Sequence, residues 1–360
     1  MNKKIAFDVE GPIINPGFDF AWLSFDILSP NIKEGFYEKT KRFDEADDGI
    51  WLAERNENGW STGTTPIISQ CLAACDGKTD KNLLEFAQQK IMENKGISEI
   101  AKFLKENNIN QYLVTSSYPA VSLLVGYKYD IPSSHIYCSG HQLSSSERRY
   151  FDSNRNLEEE LRERSPVDIL RKYPKELRDF LIKFIDNCCE IYKAYEENNE
   201  QQVKELKEKQ LGILSGENHD QKLSHELLYL LRIQRGVMGG HKKKGVLELI
   251  SLNKGIIYIG DGIVDADPIK YAKYGISVNC TNQYALEASH LNLAIDDFSV
   301  FIPIFSDIIN DNFDIEKSKK ETKKYGGILF SNDEIQNNFN KVKETNKEYK
   351  TLLKNEYERM

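Results

Sequence analysis

IAFDVEGPI, residues 5 to 13, starts as an apolar run, meets two acids one residue apart, Asp8 and Glu10, and breaks at Gly11 and Pro12. Two further stretches share this grammar of β-branched or aromatic residues ending abruptly in hydroxyl, acid or glycine: QYLVTSS, 111 to 117, and GIIYIGDG, 255 to 262. Near-continuous apolar runs suit strands covered on both faces, as in a parallel sheet flanked by helices. Helical patterns lie between them. Ile97, Ile100, Ala101 and Leu104 fall on one helical face just ahead of QYLVTSS. Residues 120 to 131 predict a helix that ends near Gly126, followed by a strand at HIYCSG, 135 to 140. DPIKYAKYGISVNC, 267 to 280, predicts a short helix, a glycine stop and another strand, and NLAIDDF, 292 to 298, an edge strand. The alternation predicts an α/β fold with a doubly wound parallel sheet, a Rossmann-like core.

That core takes residues 1–15, 93–149 and 230–305. Residues 16–92, with Trp22, Trp51 and Trp60, have enough apolar content for a helical cap. An insertion directly after the first strand sits above its end, so some of its Tyr and Trp residues are expected to roof the site. Residues 150–229 are rich in Glu, Lys, Arg and Asn and read as a charged helical insertion of long solvated helices with an interrupted apolar stripe. Residues 306–360 form a charged helical tail whose last third is expected to be an exposed helix. RFDEADDG, 42 to 49, reads as a solvated helix end rather than a second metal site.

The 360 residues are 40% hydrophobic and 29% charged, as in a soluble globular protein. A net charge of −8 provides no long-range attraction for nucleic acid or an anionic membrane. No apolar stretch approaches the roughly 18 residues of a membrane span, and the N-terminus turns polar too early for a secretory signal, so the cytoplasm is the expected location. The six cysteines lack zinc-type spacing and read as reduced thiols.

In open α/β sheets ligands bind outside the carboxyl ends of the strands. The residues at those ends are Asp8 and Glu10, then Thr115 and Ser116, then Asp261 and Asp265. Carboxylates gathered at one rim repel unless a cation neutralises them, which implies a hard divalent ion, Mg²⁺ where phosphate is also bound.

DVEG after the first strand, Thr115 at the end of the second, a lysine opening a helix, and GDGIVD at the third resemble, in the same order, the haloacid dehalogenase superfamily of phosphohydrolases and phosphotransferases. The resemblance covers about half the chain. It implies that Asp8 is a nucleophile forming an aspartyl-phosphate and Glu10 the acid/base that protonates the leaving oxygen. Most of the superfamily has Asp at the second position; the enolase-phosphatase branch resembles this chain in having DxEG. Thr115 and Ser116 match the phosphoryl-binding positions. Asp261 matches a Mg²⁺ ligand beside Asp8 and the backbone carbonyl of Glu10, and Asp265 would hold metal-bound water. The lysine is one of Lys242, Lys243 and Lys244 in GGHKKKGVLELI. Val246, Leu247 and Ile250 follow Lys243 at helical spacing, which selects Lys243, with Lys244 as the alternative.

The insertion at 16–92 resembles the cap of phosphoserine-phosphatase-like members. More narrowly, DVEGPI and residues 37 to 66 resemble archaeal energy-converting hydrogenase A subunit R proteins. The expectation is a Mg²⁺-dependent phosphomonoester hydrolase acting on a small phosphorylated metabolite. A phosphotransferase or mutase using the same intermediate is one alternative. The other is a non-catalytic subunit that docks on a protein partner through the charged insertion.

Overall fold

The computed structural model describes residues 4–54, 63–139, 157–165, 167–215, 239–251 and 255–359. Residues 55–62 of the 37–66 stretch, with Trp60, and the side chain of Lys242 lie outside the described residues.

Seven strands form one sheet: β1 (Lys4–Phe7), β2 (Asn110–Val114), β3 (Ile136–Tyr137), β4 (Ile256–Gly260), β5 (Tyr274–Val278), β6 (Leu291–Ala294) and β7 (Ile328–Ser331). Their order is β3-β2-β1-β4-β5-β6-β7, and every pairing is parallel except β6 with β7. This is an α/β doubly wound sheet carrying helical insertions. Side chains alternate faces along each strand. Ile5, Phe7, Leu113, Ile257 and Ile259 enter one core, with Ile97, Ile100 and Leu104 and with Phe301, Ile304 and Phe305. Ala6, Tyr112, Val114, Ile256 and Tyr258 enter the other, against Val246, Leu247, Ile250, Ile269 and Leu286. Burial on both faces is why these strands read as unbroken apolar runs; each fully buried Ile, Leu or Phe contributes about 1.5–3 kcal/mol.

Two expectations near the sheet change. The helix Pro119–Lys128 runs through Gly126 instead of stopping there, because a side chain at that position would meet Ile136 Cδ1 at 2.3 Å. Glycine here serves close helix–strand packing. The strand at 291–294 is not the edge, since β7, from within the charged tail, pairs antiparallel beyond it.

Residues 16–92 contain the helices Phe20–Leu23, Pro30–Glu54, Thr65–Cys75 and Asp80–Lys90. In Pro30–Glu54, Ile32, Phe36, Thr40, Phe43 and Ile50 make a buried stripe at helical spacing. Within it RFDEADDG is not a solvated end: Asp47 is buried and accepts the Thr64 N–H at 3.0 Å, just before the next helix. The buried stripe meets the charged insertion. Helix Pro174–Glu196 presents Leu177, Phe180, Leu181, Phe184, Cys188 and Ile191, a continuous apolar face. Phe43 and Phe184 have ring centroids 5.7 Å apart, and a side chain at Gly49 would collide with Tyr192 at 2.0 Å. Helix Pro174–Glu196 therefore packs its apolar face against the helices of residues 16–92.

Asp80 joins the same two segments. It is 4% exposed, accepts the Ser165 hydroxyl, and its Oδ2 has no hydrogen-bond partner among the described residues. Burial, with the nearby Asp168 charge, pushes its carboxyl from 3.8 up to about 7. The folded state thus binds this proton more tightly than the unfolded chain. The stability so contributed is full below the unfolded value and is lost as pH rises through about 7. Asp80→Asn should match wild type near pH 4 and be more stable at pH 8 by about 1–4 kcal/mol, read as a higher thermal midpoint.

Among the described residues no disulfide joins the six cysteines, and no helix is long and apolar enough to cross a membrane.

Candidate active site

The strand register sets the level of the site. Phe7 pairs with Leu113 on one side and Ile259 on the other, so the three central strands end together. Asp8 continues the ladder through its N–H to Ile259 O at 2.8 Å, and its Oδ1 accepts the Val9 N–H at 2.7 Å. The chain then turns at Gly11 with φ +97°, where a side chain would come within 2.2 Å of Asp261 Oδ1. Only glycine lets the turn after β1 lie against the turn after β4. Asn94 fastens this turn, donating to Gly11 O at 2.6 Å.

Lys243, in helix Gly239–Ile250, is fully buried and places its Nζ 2.6 Å from Asp8 Oδ2 and 2.7 Å from Asp265 Oδ1. Lys244 turns away and pairs with Glu248 at 3.6 Å. Asp265 is enclosed on every side. Its Oδ1 also accepts the Tyr258 hydroxyl at 2.6 Å, and its Oδ2 accepts the N–H groups of Asp261 at 3.0 Å and Gly262 at 2.9 Å. It shapes the β4 turn from beneath. Asp261 faces the cavity and accepts Lys350 Nζ at 2.9 Å.

Just past β2, the Thr115 hydroxyl accepts the Ser117 N–H at 3.1 Å. Ser117 Oγ donates to Glu10 Oε1 at 2.6 Å. Ser116 Oγ is buried and has no partner among the described residues. A cavity of about 280 Å³ is lined by Asp8, Glu10, Thr115, Ser116, Ser117 and Asp261, closed by Phe18, Pro66 and the C-terminal lysines Lys350 and Lys354. Among the described residues, the roof contributed by 16–92 is Pro16, Phe18, Asp19 and Pro66, with no Trp or Tyr.

The electrostatics are those of a site short of positive charge. Burial, with Asp265 adding, pushes the Asp8 carboxyl up to about 7. Burial, with Asp19 adding, pushes Glu10 up to about 8. Asp265 goes the other way, because Lys243 outweighs the effect of burial and holds its carboxyl below the usual range. For Lys243 burial disfavours the charge, but Asp265 and Asp8 more than reverse this and raise it above the ordinary lysine value.

Asp8, Asp261 and Asp265 each offer an oxygen within 4.8 Å of the others. Oxygens bound to Mg²⁺ at about 2.1 Å stand about 3.0 Å apart when adjacent and about 4.2 Å when opposite. The donors are all oxygen, the chemistry that suits a hard divalent cation. The structure brings Asp8, Glu10, Thr115, Ser116, Lys243, Asp261 and Asp265 to one rim. Sequence reasoning missed Ser117, Asp19, Tyr258, Lys350 and Lys354. A signal for the last two existed in the spacing of Val342, Asn346, Leu353 and Tyr357, a helical stripe on whose edge they fall.

No protein-family model matches the chain, and no curated protein matches it. Among solved structures it is similar to gene product AF1437 from Archaeoglobus fulgidus, with a TM-score of 0.61 and 15% identity over 98% of this chain and 97% of that one. At that identity the likeness is one of fold. It also aligns with a substrate-bound phosphoserine phosphatase complex, at TM-score 0.40 and 12% identity over 84% of this chain and 98% of the other. A phospho-aspartyl intermediate analogue of phosphoserine phosphatase aligns at 0.40 and 13%, over 84% and 99%.

Proposed function

We propose that the chain is a phosphomonoester hydrolase of the haloacid dehalogenase type, working on a small phosphorylated metabolite through an aspartyl-phosphate at Asp8. The observation that carries the reading is the fully buried Lys243, bonded to both Asp8 and Asp265 at a rim where Asp261 also converges. Lysine in such a place costs several kcal/mol of desolvation unless its charge is used. A structural ion pair alone would not explain the cavity opening onto Asp8, Thr115 and the unpartnered Ser116 hydroxyl.

In this reading Asp8 attacks phosphorus while the alkoxide leaves, and the protonated Glu10 gives its proton to that oxygen. Water then attacks the acyl phosphate, Glu10 takes back a proton, and inorganic phosphate and Asp8 are released. Ser117 orients Glu10 through its 2.6 Å hydrogen bond. Thr115, Ser116 and nearby N–H groups hold the non-bridging oxygens, and Lys243 offsets their charge. Mg²⁺ would be held by Asp8, Asp261 and the Glu10 carbonyl and when bound would offset phosphoryl charge; Asp265, its oxygens taken by Lys243, Tyr258 and two N–H groups, would hold the β4 turn in place beneath them. The narrower likeness to hydrogenase A subunit R proteins rests on DVEGPI and residues 37–66, part of which lies outside the described residues.

The test is phosphate release from an aryl phosphate by purified protein. Release should require Mg²⁺, stop with EDTA and resume when Mg²⁺ is restored. No release with any divalent cation would overturn the reading.

A further inference from the structure

The last helix, Phe339–Glu358, is held in place on both sides of Lys350. Val342 and Leu353 are buried, Asn346 Nδ2 donates to Cys280 O at 2.7 Å, and Asn15 Nδ2 donates to Leu353 O at 2.8 Å. Beyond them Tyr357 meets Phe18 edge-on with centroids 6.4 Å apart and covers Gly17, where a side chain would collide with it at 2.8 Å. The helix is thus not an exposed appendage, and its direction across the cavity is fixed. Lys350 and Lys354, one turn apart on one face, both line the cavity that contains Asp8 and Thr115.

Asp8 and Asp261 are the carboxylates the cation reading assigns to metal, and Lys350 reaches Asp261 at 2.9 Å. Lys350 and Lys354 line the same cavity together with a further carboxylate, Asp19, whose Oδ1 accepts the Trp22 N–H at 3.3 Å. Lys350, with a side chain 25% exposed, is partly desolvated and positioned to reach either Asp261 or a ligand. Two lysine side chains therefore line the cavity that contains Asp8. We propose that Lys350 and Lys354 form an anion subsite, so that the substrate is a small phosphate ester bearing a second acidic group, either carboxylate or phosphate. The size agrees. A cavity of about 280 Å³ has room for a compact metabolite.

The inference rests on the hydrolase reading for its phosphoryl end, and binding separates the two. Titration calorimetry with Mg²⁺ would compare propylphosphonate, 3-phosphonopropionate and propane-1,3-bisphosphonate on the full chain; the last two distinguish carboxylate from phosphate as the second group. In wild type at least one doubly acidic ligand should bind about tenfold or more tighter than propylphosphonate. Lys350→Met/Lys354→Met should reduce that ratio to about twofold or less, and Lys354→Arg should keep it. Lys354→Met alone, at an exposed position, should lower the ratio with an unchanged melting curve. A wild-type ratio near one, or a ratio that survives the double substitution, overturns the subsite. Tight, acid-selective binding without phosphate release would instead overturn the hydrolase and leave the subsite standing.

Discussion

Asp8→Asn should abolish phosphate release, lowering kcat by roughly a thousandfold or more while the protein stays folded. The amide keeps the shape, and its one oxygen can meet either Lys243 or the Val9 N–H, which bond different oxygens of Asp8, but it has no carboxylate with which to attack phosphorus. It also removes a charge beside Asp265, whose repulsion contributes to raising the Asp8 carboxyl to about 7. The thermal midpoint should therefore hold or rise. The check is an initial-rate assay at saturating aryl phosphate, with the melting curve measured on the same preparation. Turnover within tenfold of wild type would remove Asp8 from the chemistry.

Lys243→Met should act on both the fold and the reaction. The ammonium is fully buried, and its removal leaves the Asp8 and Asp265 carboxyls facing each other with no cation between them. Breaking a buried pair from one side costs about 3–5 kcal/mol. The melting midpoint should fall by several degrees in EDTA, and Mg²⁺ should recover part of the loss by supplying positive charge to the same carboxylates. Phosphate release should fall steeply even with Mg²⁺, because the charge offsetting the phosphoryl oxygens has gone. A variant as stable and as active as wild type would mean that the Lys243 bonds contribute to neither.

Lys243 also shows how much of the site was legible in the sequence. Its neighbours Val246, Leu247 and Ile250 mark the buried face of a helix, and a lysine in phase with them enters the interior; Lys244 is out of phase and pairs with Glu248 in solvent. The three central strands were legible because both faces are covered, leaving apolar runs that stop where the ligand side begins. The short antiparallel β7 was not. ILFS is four residues with Ile328 exposed, set in a charged tail and followed at once by the Ser331–Glu334 capping box. Tyr258 was hidden for a related reason, since an aromatic within IIYIG reads as core and its hydroxyl finds Asp265 only after folding. Lys350 meets a partner 89 residues away; the helical stripe of Val342, Asn346 and Leu353 marks its side of the helix but does not name that partner. The long helix 174–196 is legible in retrospect from its apolar stripe, but the charged stretches on either side dominate the composition of that insertion.

The central claim is that the Asp8 carboxylate becomes phosphorylated during turnover. It is tested most directly by quenching the protein in acid during reaction with an aryl phosphate and Mg²⁺, then mapping peptides by mass spectrometry. A phosphoryl group on the peptide carrying residues 5 to 13, assigned to Asp8 and absent from Asp8→Asn, is the predicted result. Turnover with that peptide unmodified at every quench time, or with phosphate on another side chain, would contradict it.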